Sequence, residues 1–341
     1  MKKVTIKEVA EAAGVSTMTV SRVLNDRPDV SAVTRKRVQE IIHEMNYRPS
    51  AVARSLIRGK SHTLGIAVFG LEHYGPSSTL VGVEKQAVEL GYSMLVSLMH
   101  YGVPGRETQQ QILENLLSRQ VDGIVWAIAE HEVNRDWLCQ RTRELSTPVA
   151  FLNMQPRPDT TMVAVNNYAG GRLATEHLLK QHYRRIGLIT GPLSWWEARQ
   201  RQAGWRDALQ ESGISTEDLE VNGDWSAASG EAAMRRLLEQ SSDLEALFAS
   251  NDQMALGAFQ AARNAGRRIP EDLAVVGFDD IPEAAYFDPP LTTIRQDLRR
   301  MGTLAVQLVH RSMEARRREE AFEPEVLWVQ PELIVRQSSN S

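Results

Sequence analysis

The first 48 residues carry apolar side chains at the spacing of three short helices. Thr5 and Glu8 have the spacing of a capping box that starts the first helix, and Gly14 is typical of a helix end. A second helix is predicted from Thr17 to about Asn25, and a third from about Ala32 to Met45. The side chains predicted to share a small core are Val9, Ala10, Ala13, Val20, Val23, Leu24, Val38, Ile41, Ile42 and Met45. Two short helices joined by a glycine-containing turn form a helix-turn-helix, so the pattern predicts a small all-α head.

From residue 63 onward, short apolar strands alternate with amphipathic helices. The predicted strands are Leu64–Gly70, Ser93–Leu98, Gly123–Ile128, Val149–Asn153, Met162–Asn166, Ile186–Thr190, Ala246–Ser250, Leu273–Phe278 and Thr292–Arg295. The predicted helices include Thr79–Leu90, Gly170–Gln181, Trp196–Ser212, Gly230–Gln240 and Gln253–Ala265. This alternation favours βαβ units, and so many strands favour two doubly wound parallel sheets and hence a body of two lobes.

Charge is distributed unevenly along the 341 residues, although the net charge of the whole chain is only −4. Residues 1–60 contain 12 Lys and Arg against 6 Asp and Glu, a net charge of +6, so the remaining residues carry −10. A basic head on an acidic body indicates two different tasks, and the head has the charge that a nucleic-acid partner requires.

Other features exclude several classes of protein. Cys139 is the single cysteine and is predicted to be a packed helix residue, so a reducing, cytoplasmic location is expected. No secretory signal and no apolar run of membrane-spanning length is present. The sequence has no phosphate-binding loop, nucleophile elbow or zinc-protease motif, and its eight histidines show no tight metal spacing. We therefore expect no enzyme activity, no metal and no cofactor.

The predicted second helix of the head presents side chains that can read DNA. In a helix-turn-helix, the N-terminal part of this helix meets base edges in the major groove. Arg22 can hydrogen-bond guanine, and Thr17 and Met18 can make shape or methyl contacts. The full set of candidate contacts in the head is Thr5, Ser16, Thr17, Met18, Ser21, Arg22, Asn25, Ser31 and Thr34. The alternative is a three-helix module that contacts another protein and leaves Arg22 solvated.

The head resembles the LacI/GalR family of bacterial repressors. The matching segments are Val4–Ala10, Ala13–Ser16, Thr19–Asn25, Val30–Ser31 and Asn46–Pro49, and the match continues to Leu56. This resemblance implies a helix-turn-helix DNA-binding domain over residues 1–48 that binds double-stranded operator DNA.

Residues 49–61 join the head to the body. They are too apolar for an ordinary linker and too short for a stable isolated helix, so a segment that folds on binding fits them, with a flexible tether as the alternative. The resemblance implies a hinge helix that pairs with its copy in a dimer. Within it, Leu56 matches a wedge residue in the minor groove and Ala53 a small contact there, while Arg54 and Arg58 would contact phosphates.

Polar side chains follow several of the predicted strands of the body. Such residues come directly after or close to the end of a strand at Asn153, at Asn251-Asp252-Gln253, at Asp279-Asp280 and at Gln296. Ligands of bilobed α/β proteins bind at the carboxyl ends of strands, in the crevice between the lobes. Amides and carboxylates suit sugar hydroxyls, although for any one such residue a helix-capping or loop role is the ordinary alternative.

The body resembles the same family, which implies a periplasmic-binding-protein-like fold over residues 62–341. The matching segments are Gly191–Ser194, Ala203–Trp205, Gly223–Ala227, Asn251–Ala258 and Pro289–Asp297. The lobes are expected at about 62–161 with 291–322 and at about 162–290 with 323–341. The resemblance implies a ligand site formed by Phe69, His73, Asn153, Arg201, Trp225, Asn251, Asp279 and Gln296. Positions 69, 73, 127, 153 and 195 depart from the galactoside-responsive members of the family, which leaves the exact sugar open.

The expected function is a sugar-responsive repressor of a carbohydrate operon, released from a pseudo-palindromic operator by a galactoside or related glycoside. A co-repressor-dependent regulator of the same family is the alternative, and a sugar-binding transport protein is a weaker one because it would need a signal peptide. The C-terminal residues 335–341 have no leucine heptads, so a homodimer is expected instead of a tetramer.

Overall fold

The computed structural model describes residues 4–47, 60–99, 106–128, 130 and 135–340. The chain divides into two compact units, Met1–Ser61 and His62–Ser341. Residues 49–59 of the predicted hinge helix, with Ala53 and Leu56, lie outside the described residues.

The head contains three helices, α1 (Ile6–Ala13), α2 (Thr17–Leu24) and α3 (Ala32–Glu44). The capping box is present, since the backbone N–H of Thr5 donates to Glu8 Oε2 over 2.7 Å, and Gly14 ends α1 with φ of 62°. The buried core consists of Val9, Ala10, Ala13, Val20, Val23 and Val38. The helices and most of the core predicted from the apolar spacing are therefore confirmed.

The body contains eight further α-helices and twelve strands among its described residues. The helices are α4 (Tyr74–Glu89), α5 (Arg106–Ser118), α6 (Arg135–Arg143), α7 (Asn167–Lys180), α8 (Trp196–Glu211), α9 (Ala227–Gln240), α10 (Asp252–Asn264) and α11 (Leu298–Arg317). The strands are β1 (Thr63–Phe69), β2 (Ser93–Met99), β3 (Gly123–Ala127), β4 (Val149–Leu152), β5 (Met162–Val165), β6 (Ile186–Thr190), β7 (Glu220–Asn222), β8 (Ala246–Ala249), β9 (Ala274–Asp279), β10 (Thr292–Arg295), β11 (Val326–Val329) and β12 (Glu332–Ile334). Cys139 is buried in α6, as predicted.

The strands form two six-stranded sheets, one in each lobe. The N-lobe sheet has the order β11-β5-β4-β3-β1-β2, and the C-lobe sheet has the order β12-β10-β9-β8-β6-β7. All neighbouring strands are parallel except β10 and β12, which pair antiparallel. Strands β5, β6, β8 and β9 are buried along their whole length, as expected for parallel strands with helices on both faces.

The crossovers between the lobes differ from the predicted bounds. Strand β5 was expected to open the C-lobe, but it pairs with β4 and β11 in the N-lobe sheet. Conversely, β10 was expected in the N-lobe but pairs with β9 in the C-lobe sheet. Strand β11 was expected in the C-lobe but pairs with β5 in the N-lobe sheet. Short apolar strands are alike in both sheets, and only backbone pairing decides which sheet each one joins. Gln296 consequently lies directly after β10, where the chain leaves the C-lobe for α11.

Close helix packing fixes the backbone around the cleft between the lobes. Helices α7 and α8 pack together so tightly that a side chain at Gly171 would collide with the backbone of Arg201. In the N-lobe, a side chain at Gly82 of α4 would likewise collide with the backbone of Arg299 in α11. Helices α4, α8 and α11 all contribute side chains to the cleft, so these contacts hold its walls in place.

Candidate functional site

The carboxyl ends of strands from both lobes surround one cavity. Phe69 ends β1, Asn153 follows β4, Asn251 follows β8, Asp279 ends β9 and Gln296 follows β10. The cavity lining includes all eight predicted ligand-site residues, namely Phe69, His73, Asn153, Arg201, Trp225, Asn251, Asp279 and Gln296. The structure therefore brings together residues that the sequence separates by up to 227 positions, although their contact with a ligand remains a prediction.

A buried ion pair lies in the wall of the cavity. Arg201 Nη1 lies 4.0 Å from Asp279 Oδ1, and both side chains are more than nine-tenths buried. Arg201 also donates through Nε to Asn167 Oδ1 over 2.8 Å and through Nη1 to the Ser250 carbonyl, and its guanidinium stacks 3.8 Å from the centre of the Phe278 ring. These contacts leave the guanidinium firmly oriented before any ligand binds.

The environment of Asp279 makes it harder to ionise than an ordinary carboxyl group. Burial raises the pKa of Asp279 to about 6, although Arg201 and a hydrogen bond from Gln296 Nε2 both oppose that rise. Burial also lowers the pKa of Arg201, an effect that the neighbouring carboxylates oppose. A site built this way has a carboxylate acceptor whose charge is balanced by one cation.

Strained backbone conformations occur at three of the eight predicted ligand-site residues. Asn153, Trp225 and Asp279 have φ values of 48°, 77° and 118°. Non-glycine residues rarely adopt positive φ, and each such residue costs on the order of 1–3 kcal/mol. Backbone strain of this kind is concentrated in binding sites, where it aims a side chain, and here it aims three side chains at one cavity.

Asn251 has a structural role that limits what it can offer a ligand. Its Oδ1 accepts the Met254 N–H over 2.8 Å and caps α10, while its Nδ2 donates to the Trp225 carbonyl and to Gln253 Oε1. Both amide hydrogens are thus used within the protein, and only acceptor capacity on Oδ1 remains. Asn251 therefore has the helix-capping role that was the alternative for strand-end residues. Its hydrogen bond to the Trp225 carbonyl also holds the loop that carries Trp225.

Three aromatic rings from both lobes meet in the lining of the cavity. The centroids of Phe69 and Trp195 are 5.3 Å apart, and those of Trp195 and Trp225 are 5.9 Å apart. Phe69 belongs to the N-lobe, whereas both tryptophans belong to the C-lobe. Aromatic faces bind the apolar faces of sugar rings and exclude water from nearby hydrogen bonds.

The sequence prediction omitted Glu197, which also lines the cavity. Glu197 lies in the first turn of α8, four residues before Arg201, so the two side chains project from the same face of the helix. This helical spacing was a signal that could have identified the residue. Tyr74, Thr79 and Met301 are further lining residues that the prediction omitted, and Gln253, which follows β8 as noted in the sequence, also lines the cavity.

In the head, the predicted DNA-reading face of α2 is open to solvent. Met18 is 63% exposed, and Thr17 and Arg22 are also exposed. Arg22 Nε lies 3.3 Å from Asp29 Oδ2, and both side chains are about half exposed, so this ion pair is weak and easily exchanged for another partner. These side chains are accessible for contacts with base edges.

The other predicted DNA contacts already make hydrogen bonds within the head. Thr5, Ser16 and Ser31 cap α1, α2 and α3, and their side chains accept backbone N–H groups. Their neighbours are engaged as well: Thr34 Oγ1 lies 2.9 Å from Ser31 Oγ, Asn25 Nδ2 donates to the Ser21 carbonyl over 2.8 Å, and Ser21 is half-buried. Helix N-termini favour phosphates, so caps can still lie beside the DNA backbone.

The described part of the chain contains neither a membrane-spanning helix nor a metal-binding cluster. Within the described ranges, none of the helices combines the length and apolar character that a membrane crossing requires. The same residues contain no group of three or more His, Cys, Asp or Glu side chains placed to hold a metal ion.

A helix-turn-helix head and a two-lobed body with a lined cleft define a ligand-responsive DNA-binding regulator. Residues 5–50 match the family described as bacterial regulatory proteins, lacI family, and residues 175–339 match a periplasmic binding protein-like domain. The chain is 38% identical to the ribose operon repressor of Escherichia coli (strain K12), over 90% of this chain and 92% of that protein. It is 37% identical to the lactose operon repressor of the same strain, over 90% of this chain and 84% of that protein.

A further relative is the HTH-type transcriptional repressor PurR of Pasteurella multocida (strain Pm70), which is 35% identical over 99% of both chains. The solved structure of the lac repressor dimer bound to operator and the anti-inducer ONPF superposes with a TM-score of 0.91 at 33% identity over the full length of both chains. The chain belongs to the lacI family and is a transcriptional repressor, not an enzyme.

Proposed function

We propose that the protein binds a pseudo-palindromic operator as a cytoplasmic homodimer and is released by a sugar bound between the lobes of its body. The observation that carries this proposal is the interlobe cavity, in which the buried Arg201–Asp279 pair lies beside the aromatic ring of Trp225. Carboxylate and guanidinium groups beside an aromatic face are suited to the hydroxyls and the apolar face of a sugar ring.

The DNA contacts are proposed for the exposed face of α2. Arg22 reads guanine in the major groove, Thr17 and Met18 contribute shape contacts, and the capped helix ends lie beside phosphates. Ala53 and Leu56 are proposed to enter the minor groove as part of a hinge helix. The +6 charge of residues 1–60 attracts the duplex, while the acidic remainder of the chain is repelled by it.

Two heads in a symmetric dimer read two half-sites, so the symmetry of the protein matches that of the operator. The dimer is supported by the solved lac repressor dimer, to which the chain is similar over its full length. Sugar binding between the lobes changes how the N-lobes pair, separates the hinge helices and weakens operator binding. The names of the ribose and lactose repressors support a sugar effector, and a galactoside or related glycoside is the proposed class.

A thermal-unfolding screen against monosaccharides and disaccharides tests the effector class. A sugar present at 100 times its Kd is expected to stabilise the body by about 2.7 kcal/mol, and other sugars to leave the melting temperature unchanged. Purine bases belong in the same screen because PurR is among the relatives. Stabilisation by a purine and by none of the sugars would refute the sugar effector.

The affinity for the sugar is expected to fall as the pH is lowered through about 6, the pKa to which burial raises Asp279. A sugar hydroxyl that donates to this carboxylate favours its deprotonated form, so protonation competes with binding. Below that pH, the affinity should fall by up to about tenfold per pH unit. Calorimetric titrations between about pH 5 and pH 8 measure the effect. Asp279→Asn should bind more weakly with a flatter pH profile, and a constant wild-type affinity would contradict the role of Asp279.

A further inference from the structure

Two buried polar atoms of side chains that line the cavity lack a hydrogen-bond partner among the described residues. They are Oε2 of Glu197 and Nε1 of Trp225, one an acceptor and the other a donor. Both residues line the same cavity as Arg201 and Asp279. An unsatisfied buried polar group costs about 1–3 kcal/mol, so a ligand in the cavity that hydrogen-bonds the Glu197 carboxyl group would recover part of that cost.

The placement of Glu197 is set by the helix that carries it. Glu197 occupies the first turn of α8, and its carboxyl group hydrogen-bonds its own backbone N–H. Burial raises the pKa of this carboxyl, although Arg201 and Arg199 favour its charged form. No hydrogen bond or ion pair between Glu197 Oε2 and the described side chains competes with a ligand for that oxygen.

The charges around the cavity disfavour an anionic ligand. Among the described residues, the lining carries two carboxyl groups, Glu197 and Asp279, one guanidinium, Arg201, and the imidazole ring of His73. Asp279 lies 4.0 Å from Arg201 and already offsets its positive charge. A phosphate or carboxylate brought into this space would lie beside Glu197 in a water-poor environment, where repulsion between like charges is strong.

We propose that Glu197 is a specificity-determining residue that accepts a hydrogen bond from a hydroxyl of the effector and excludes phosphorylated and acidic sugars. This inference rests on the proposed function and deepens it, because it limits the effector to uncharged sugars. Glu197 itself carries out no reaction and acts only in recognition.

The test compares the wild-type chain with Glu197→Gln in calorimetric titrations of the full-length protein. The probes are D-ribose, D-galactose and lactose, together with the anions ribose 5-phosphate and galactose 6-phosphate. For the uncharged sugar that binds wild type, Glu197→Gln should lower the affinity about tenfold, since an amide group replaces the carboxyl acceptor. The preference for that sugar over a phosphate ester should also decrease in the variant.

Thermal unfolding of the ligand-free proteins distinguishes a role of Glu197 in ligand recognition from a structural role. Because the buried carboxyl lacks a partner for Oε2, Glu197→Gln should melt at the wild-type temperature or above it, whereas a structural contact would lower that temperature. Glu217→Gln is the matched control, since it makes the same change at an exposed position of the C-lobe. This variant should match wild type in both affinity and melting temperature.

The outcomes distinguish the inference from the proposed function. Equal sugar affinity in wild type and Glu197→Gln, or a phosphate ester that binds wild type as tightly as its parent sugar, overturns the role of Glu197 and leaves a sugar-responsive repressor intact. If a purine base and none of the sugars binds wild type, the sugar effector fails and the inference fails with it.

Discussion

Replacing Arg201 with alanine is expected to abolish the response to the effector while operator binding persists. Arg201 lies at the centre of the cavity wall, where it hydrogen-bonds Asn167 and Ser250 and balances the charge of Asp279. Removing one partner of a buried ion pair costs about 3–5 kcal/mol because the remaining charge is left uncompensated. The sugar also loses a charged donor, so its affinity should fall at least about 100-fold, which corresponds to about 2.7 kcal/mol.

Two further variants make this result interpretable. Arg206→Ala removes a guanidinium from the same helix, where it is 42% exposed and pairs with Glu220 outside the cavity, so its effector response should be normal. Asp279→Asn keeps the size of the side chain but removes its charge, and should also lose most of the response. Calorimetric titration measures sugar affinity, and operator titration shows that the variants still bind DNA. An Arg201→Ala protein released at the wild-type sugar concentration would remove this residue from the site.

Replacing Arg22 with alanine is expected to reduce specific operator binding by about 1–3 kcal/mol, or roughly 5- to 150-fold. The side chain is half exposed on α2, and its only described ion pair is a solvent-exposed contact with Asp29, so the head should fold normally without it. The loss of affinity should be largest for the cognate operator, whereas binding to a random duplex should change much less. A base contact discriminates between sequences, whereas a phosphate contact only positions the protein on the duplex.

Lys36→Ala is the matched control for this loss of charge. Lys36 is 80% exposed on α3 and pairs only loosely with Glu40. Its removal should weaken binding to the operator and to a random duplex about equally, because it reduces only the salt-dependent attraction to phosphates. Titrations of both duplexes at one fixed salt concentration distinguish the two effects. If Arg22→Ala retains wild-type discrimination between the duplexes, the proposed reading role of α2 is wrong.

Local signals made the head predictable from its sequence. Capping side chains, a glycine at a helix end and the apolar spacing act within a few residues, and the structure has helices close to the predicted bounds. The fold class of the body was predictable for the same reason. Its helices begin one to five residues earlier than predicted in several cases, since caps such as Asn166 and Ser226 precede the apolar pattern.

Strand pairing was the part of the fold that the sequence did not reveal. Strand β5 was predicted as a strand but assigned to the wrong lobe, because an apolar strand of four residues carries no mark of its partner. Strands β7, β11 and β12 were missed altogether. Each has three or four residues, lies at an edge of its sheet and is only partly buried, so its apolar pattern is weak.

Part of the candidate site followed from one rule about parallel sheets, and the rest followed from the family resemblance. Side chains after the strands of both lobes were expected at a shared cleft, and the structure places them around one cavity. The sequence could not show which polar atoms of these side chains already have hydrogen-bond partners within the protein. The amide hydrogens of Asn251 are engaged within the protein, whereas Glu197 Oε2 is not, and only three-dimensional packing distinguishes the two.

Operator titration with and without the sugar tests the central claim most directly. The sugar that stabilises the body should weaken operator binding, and by thermodynamic linkage the operator should weaken sugar binding by the same factor. Tighter operator binding in the presence of the sugar would indicate co-repression, and an operator affinity independent of every bound sugar would show that the cavity does not control the head. Either result would contradict release of the repressor by a sugar.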